Sequence, residues 1–154
     1  MVQEKITFGD KNYKFTWVKD GSISGNNVTQ VSGYIFNDDK ELLIVKNKNW
    51  TIPGGHPEEG ETHIETLKRE TLEESQVEIG NIEYLGYVES LDIQTNKKNY
   101  QLRFVARVKK ENSFKGDFET SERAFVKPGK LVDYIPWASG KVFSAEVKDA
   151  ESRF

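Results

Sequence analysis

The segment "WTIPGGHPEEGETHIETLKRETLEES", residues 50 to 75, constrains this chain more than any other. Seven glutamates fall between positions 58 and 74, against only Lys68 and Arg69. The first half carries two prolines and three glycines without periodicity and reads as a loop. Thr62 and Glu65 then have the S/T-x-x-E spacing of a capping box, which predicts a helix from Thr62 to about Ser75. On such a helix Glu70, Glu73 and Glu74 project within an arc of roughly 100°. Like charges at this spacing cost only about 0.2–0.5 kcal/mol per pair, so a solvated acidic face is the plain reading of E-x-x-E-E alone. A cation changes the balance, because Mg²⁺ and Mn²⁺ are hard ions that take carboxylate, carbonyl and water oxygens. The preceding Pro53-Gly54-Gly55 lets backbone approach an ion or a phosphate closely. The adjacency of glycine turn and acidic helix is what favours the cation.

Composition narrows the field. A length of 154 residues suggests one domain, 1–154, and three Trp, six Tyr and nine Phe supply a core despite a charged fraction of 31%. With no cysteine, disulfides, thiolate-held metals and cysteine nucleophiles are excluded. His56 and His63 are the only histidines, which argues against a histidine zinc site. A net charge of −3 gives no global basic field for a nucleic-acid polymer or an anionic membrane. No apolar run has signal-peptide or membrane-spanning length, so a cytoplasmic protein is expected.

Along the chain, residues 5–18 read as two short strands around Gly9-Asp10, and 20–27 as loop. Residues 28–36 and 41–46 read as strands. Gly80 marks a loop after the helix, then 82–93 and 100–110 are strands joined by the polar hairpin "QTNKKN". A long polar loop, 111–122, precedes the short strand "RAFVKP" and a helical turn at "KLVDYI". A terminal helix over 139–151 offers Val142, Phe143, Ala145 and Val147 for its inner face. Strands mixed with two helices predict an α/β or α+β fold, with helices packed on a mixed sheet.

The register of the central segment is more specific. From Gly55, Glu61 follows, then Arg69-Glu70, Glu73-Glu74 and Val77. This resembles the Nudix box, G-x5-E-x7-R-E-U-x-E-E-x-G-U with U aliphatic, and the upstream "LLIVKNKNWTIPGG" resembles the family's entry strand and glycine turn. The direct resemblance covers residues 41 to 77. Thr71 stands where an aliphatic residue is expected and Gln76 where glycine is expected. Glutamine at a left-handed helix end strains that turn or moves the end of the helix, with Gly80 the next candidate.

The resemblance implies an α/β/α sandwich with the box helix on one side of the sheet and a C-terminal helix. It implies a Mg²⁺- or Mn²⁺-dependent hydrolase of a nucleoside diphosphate linked to another moiety, with a small-molecule nucleotide as substrate. Glu70, Glu73 and Glu74 become metal ligands with the Gly55 carbonyl, and Glu70 a candidate general base. Glu61 and Arg69 become a supporting pair across loop and helix. The later loop offers a further acid, with Glu122 ranked ahead of Glu119. Lys46 and Arg103 are candidate phosphate contacts. His56 and His63 read as surface residues, and Trp50 and Trp137 as packing rather than base stacking. The proline and tyrosine that accompany ADP-ribose and dinucleoside-polyphosphate members are absent from "SLDIQT", which favours a nucleoside triphosphate or another small nucleotide. The competing readings are a Nudix-fold module that senses a nucleotide without cleaving it, and an acidic protein-interaction domain.

Overall fold

The computed structural model describes residues 1–23, 27–117 and 119–154, so the loop reading of 20–27 lies partly outside the described residues. The strands are β1 (Val2–Phe8), β2 (Lys11–Lys19), β3 (Val28–Phe36), β4 (Leu42–Lys46), β5 (Trp50–Thr51), β6 (Gly54–Gly55), β7 (Val77–Asp92), β8 (Lys98–Glu111) and β9 (Glu122–Val126). The helices are α1 (His63–Ser75), a single turn α2 (Leu131–Tyr134) and α3 (Lys141–Glu151). The strands join in one mixed sheet ordered β1-β2-β7-β8-β3-β4-β5, with β6 on β3 and β9 on β4. The β3–β8 pair is parallel, and the other pairs are antiparallel.

Alternation along β3 sends side chains to two cores, because successive residues of a strand face opposite sides. Val31 and Ile35 join Leu43, Leu67, Val77, Leu102 and Phe104 beneath α1. Tyr34 and Phe36 join Trp17, Ile44, Leu85, Leu131, Val142 and Val147 beneath α2 and α3. The result is the expected sandwich, with helices on both faces of the sheet. α1 lies close to β3 because its buried residues include the small Thr66, Thr71 and Ser75. Gly33 matters for the same reason, since a Cβ there would sit 3.0 Å from Leu67.

Three expectations are corrected. The glycine-rich loop contains two two-residue strands, β5 and β6, because its backbone groups find partners on β4 and β3. Gly80 does not open a loop. It lies within β7, at a register shift between Gly80 and Glu83 where Asn81 takes a positive φ of 49°, so the breaker residues make a bulge. In α3, the buried face includes Glu146 beside Val142, Val147 and Ala150, a charged residue inside an apolar stripe.

The two departures in α1 have distinct outcomes. The helix ends at Ser75, and Gln76 takes the left-handed conformation itself, with φ 57° and ψ 28°. Its N–H donates to the Leu72 carbonyl (2.9 Å) and its side-chain amide to the Glu73 carbonyl (3.1 Å). Asn112 donates to the Gln76 carbonyl, and Arg123 reaches from β9 to the Ser75 carbonyl at 2.7 Å. These bonds hold a conformation that glycine adopts without help. Thr71, by contrast, is fully buried and its hydroxyl has no hydrogen-bond partner among the described residues. Thr71→Val should therefore stabilise the protein by about 1 kcal/mol, raising Tm by roughly 2–4 °C. Thermal denaturation checks this, and an unchanged or lower Tm would show that the hydroxyl is satisfied.

Candidate active site

Arg69 organises the box. Its Nε and Nη2 donate to the two oxygens of Glu61 at 2.6 and 3.0 Å. Nη1 donates to Glu70 (2.9 Å) and Glu73 (3.3 Å), and Nη2 to the His56 carbonyl (3.3 Å). Glu61 also accepts from the Glu58 N–H and the Thr66 hydroxyl, both at 2.9 Å. The hydrogen bond from Arg69, then that from the Glu58 N–H, holds the Glu61 carboxyl down at about 2. Loop and helix are thus tied by one bidentate pair, a geometry that guanidinium provides and ammonium does not. The N-terminus of α1 is closed by the reciprocal capping box of Thr62 and Glu65.

The other carboxylates meet the glycine turn. The Gly54 N–H donates to Glu74 Oε1 at 2.9 Å. A Cβ on Gly55 would collide with the Glu70 carboxyl, and one on Gly54 would collide with Ser32 and the Val31 carbonyl. Both glycines are required by close approach. Burial pushes the Glu74 carboxyl up to about 7; the Gly54 N–H opposes the shift and the charges of Glu70, Glu119 and Glu73 add to it. Burial also raises Glu70, against the pull of Arg69 and with a further push from Glu73 and Glu119.

Glu119, ranked second from the sequence, is therefore the loop acid whose charge reaches Glu70 and Glu74. Asp117 accepts from the Glu119 and Thr120 N–H groups at 2.8 and 2.9 Å, and the Ser121 N–H donates to the Lys46 carbonyl at 2.8 Å. This local turn aims Glu119 at the helix; residue 117 followed by residue 119 was the available signal. Glu122 instead opens β9 and pairs with Lys46 at 3.4 Å, directly across from it. Arg103 is buried, lines a cavity against α3, and donates to Glu146 (2.7 Å), Gln101 (2.9 Å) and Gln30 (3.4 Å), so its charge is already paired with a carboxylate. His56 is exposed, with Nδ1 2.9 Å from the Thr29 carbonyl, and His63 starts α1. Trp50 is half-buried, edge-on to Tyr134, whereas Trp137 is 49% exposed and does not pack as expected.

Among the described residues no three His, Asp or Glu side chains already surround one point. The donor chemistry nevertheless fits a hard divalent cation. Glu70 and Glu74 are crowded, partly desolvated carboxylates whose ionised forms repel, and Arg69 alone supplies counter-charge to the first of them. The cavity against α3 has a volume of about 380 Å³, and its lining runs from Val142 and Glu146 through Arg103 to Ser32, Thr51 and Ile52, of which Ser32 pairs with Gly54 of the glycine turn.

A model of the NUDIX domain matches residues 27–145. The chain belongs to the Nudix family. Solved structures share the fold: the Bacillus subtilis pyrophosphohydrolase BsRppH is 18% identical, covers 99% of this chain and 98% of its own, and superposes with a TM-score of 0.79. A Nudix hydrolase of Nitrosomonas europaea is 20% identical over 84% of this chain and 90% of its own, with a TM-score of 0.68. The NUDIX domain of Shewanella oneidensis NrtR, solved with ADP ribose, is 17% identical over 84% and 90% of the two chains, with a TM-score of 0.63. The Nudix box thus supplies α1, and the substitution at Gln76 leaves its end in place. No helix among the described residues is long and apolar enough to cross a membrane.

Two measurements probe the site without a substrate. A carboxyl raised to about 7 in the folded state favours folding fully below about 4.5 and loses that contribution as pH rises through about 7. In chelator, Tm should fall between pH 5 and pH 8, and Glu74→Gln should flatten that fall, gaining roughly 2–4 °C at pH 8. Glu61, held at about 2, acts only in acid and leaves this window clear. Arg69→Ala should lower Tm by several degrees, since it strands Glu61 and Glu70 together; an unchanged Tm removes its structural role.

Proposed function

We propose that the protein is a divalent-metal-dependent pyrophosphohydrolase that cleaves a phosphoanhydride in a nucleoside diphosphate linked to another group, with a nucleoside triphosphate as the favoured substrate class. The observation that carries this reading is the contact between the glycine turn and the acidic helix, in which the Gly54 N–H holds Glu74 and Gly55 abuts Glu70. Glu70, Glu73 and Glu74, with the Gly55 carbonyl, would hold Mg²⁺ or Mn²⁺. A bound ion there neutralises phosphate charge and acidifies an attacking water.

The chain's own residues supply the remainder. Arg69 takes Glu70 Oε1, so Oε2 is the oxygen left to accept the water proton. Its upward shift brings Glu70 closer to the working range of a general base. Glu119, whose charge acts on both Glu70 and Glu74, is the second candidate for that role. Lys46, paired with the exposed Glu122, is a cation available to exchange its partner for a substrate phosphate. A purely sensory role has one observation in its favour, namely that Arg69 already engages Glu70 and Glu73.

Turnover decides between them. Nucleoside triphosphates, nucleotide sugars, ADP-ribose and dinucleoside polyphosphates should be tested with Mg²⁺, Mn²⁺ and chelator. Chelator-sensitive release of phosphate or pyrophosphate is expected from the triphosphates. Glu73→Gln and Glu74→Gln should each lower kcat by about two orders of magnitude or more with the fold intact. Near-normal kcat in both removes the ligand assignment, and nucleotide-induced stabilisation without turnover of any compound supports the sensor.

A further inference from the structure

The cavity against α3 has a polar floor that the proposed chemistry does not use. Glu146, on α3, is 2% exposed. Its Oε1 receives both the Tyr34 hydroxyl at 2.9 Å and Arg103 Nε at 2.7 Å. Among the described residues Oε2 receives nothing, and Glu146 lines the cavity. Burial, with the Glu146 charge, keeps Tyr34 a neutral donor well above the ordinary tyrosine range. Arg103 engages the side-chain oxygens of Gln30 and Gln101, which turns their NH₂ groups to other partners. Ser32 is 1% exposed, lines the same cavity, and its hydroxyl has no partner among the described residues.

Burying an ion pair and an orphan hydroxyl is an expensive way to pack a helix, because apolar residues of similar volume serve stability as well or better. Polar groups converging on a largely apolar cavity are instead the pattern of a ligand site. Their chemistry restricts the ligand. A carboxylate oxygen demands an N–H or O–H donor and repels anions, so phosphates belong at the box end, which Ser32 joins by pairing with Gly54. The amide NH₂ groups demand acceptors. Phe143 and the half-exposed Trp137 add aromatic faces for a planar ring.

We infer that this cavity binds the base of the nucleotide and that Glu146 selects a base with a ring N–H beside a carbonyl, as a 6-oxopurine has, whose ring N–H meets Glu146 Oε2 while its carbonyl meets the glutamine amides. Adenine presents a ring acceptor at the same position and opposes the carboxylate lone pairs. The inference rests on the nucleotide reading of the adjoining site and deepens it.

Calorimetric binding of GMP, IMP, AMP, CMP and UMP in chelator tests it apart from turnover. GMP and IMP should bind at least about tenfold tighter than AMP. Glu146→Gln, which turns an acceptor into a donor, should bring the GMP to AMP ratio to within about twofold. Ser32→Ala should weaken GMP binding while Tm holds or rises, an outcome that loss of packing does not produce. AMP binding as tightly as GMP overturns the inference, as does an unchanged ratio in a folded Glu146→Gln variant. Should that variant not fold, the wild-type ratio and Ser32→Ala decide. Turnover without 6-oxopurine preference removes only this inference, and GMP preference without turnover removes only the hydrolase.

Discussion

Arg69 is the interaction on which the rest of the site depends. Glu58, Glu61, Glu70, Glu73 and the His56 carbonyl all approach one guanidinium. Without it, the loop that carries Gly54 and Gly55 has no charged tether to α1, and the acidic face faces only itself. The planar fork satisfies Glu61 bidentately and still has Nη1 for the helix. A lysine in its place would neutralise one carboxylate and abandon the geometry. The same cation keeps Glu70 and Glu73 from repelling Glu74 without restraint, so it sets how much negative charge the acidic face retains.

The local elements were legible where the signal was local. The capping box fixed the start of α1, and the β-branched and aromatic run "VTQVSGYIF" matched β3 residue for residue. Glycines were harder to read, because their meaning lies in what approaches them. Gly80 looked like a loop and is part of a bulge, whereas Gly54 and Gly55 looked like a loop and are strand residues pressed against Ser32 and Glu70. Gln76 shows the reverse case. The motif predicts a left-handed position there, and distant groups, Asn112 and Arg123, make it tolerable for glutamine.

The site was legible in part for the same reason. Glu70, Glu73 and Glu74 share one helix, so spacing alone brings them together. Glu119 and Glu122 differ by how a loop turns, and the Asp117 side chain holds the backbone at Glu119 while Glu122 pairs with Lys46. Arg103 was legible as a functional cation but not as a buried one, since its partner lies 43 residues away on another element. Glu146 gave no signal beyond its odd place within an apolar stripe, and that misfit was the clue.

The two halves of the molecule meet at β3. Ser32 pairs with Gly54, and Gly54 holds Glu74, so one backbone connection joins the cavity floor to the acidic helix. On the next residue but one, Tyr34 reaches Glu146 in α3, whose N-terminus is in turn capped from β1 by Glu4, accepting from the Val142 N–H at 3.1 Å. A shift of α3 therefore moves Glu146 relative to the phosphate end only by deforming a central strand. Central strands resist this, being hydrogen-bonded on both sides and packed on both faces. The distance between Glu146 and Glu74 is consequently fixed by the sheet rather than by a loop. On the proposed reading, a rigid spacing of that kind would discriminate by the length of the ligand as well as by the chemistry of its ends.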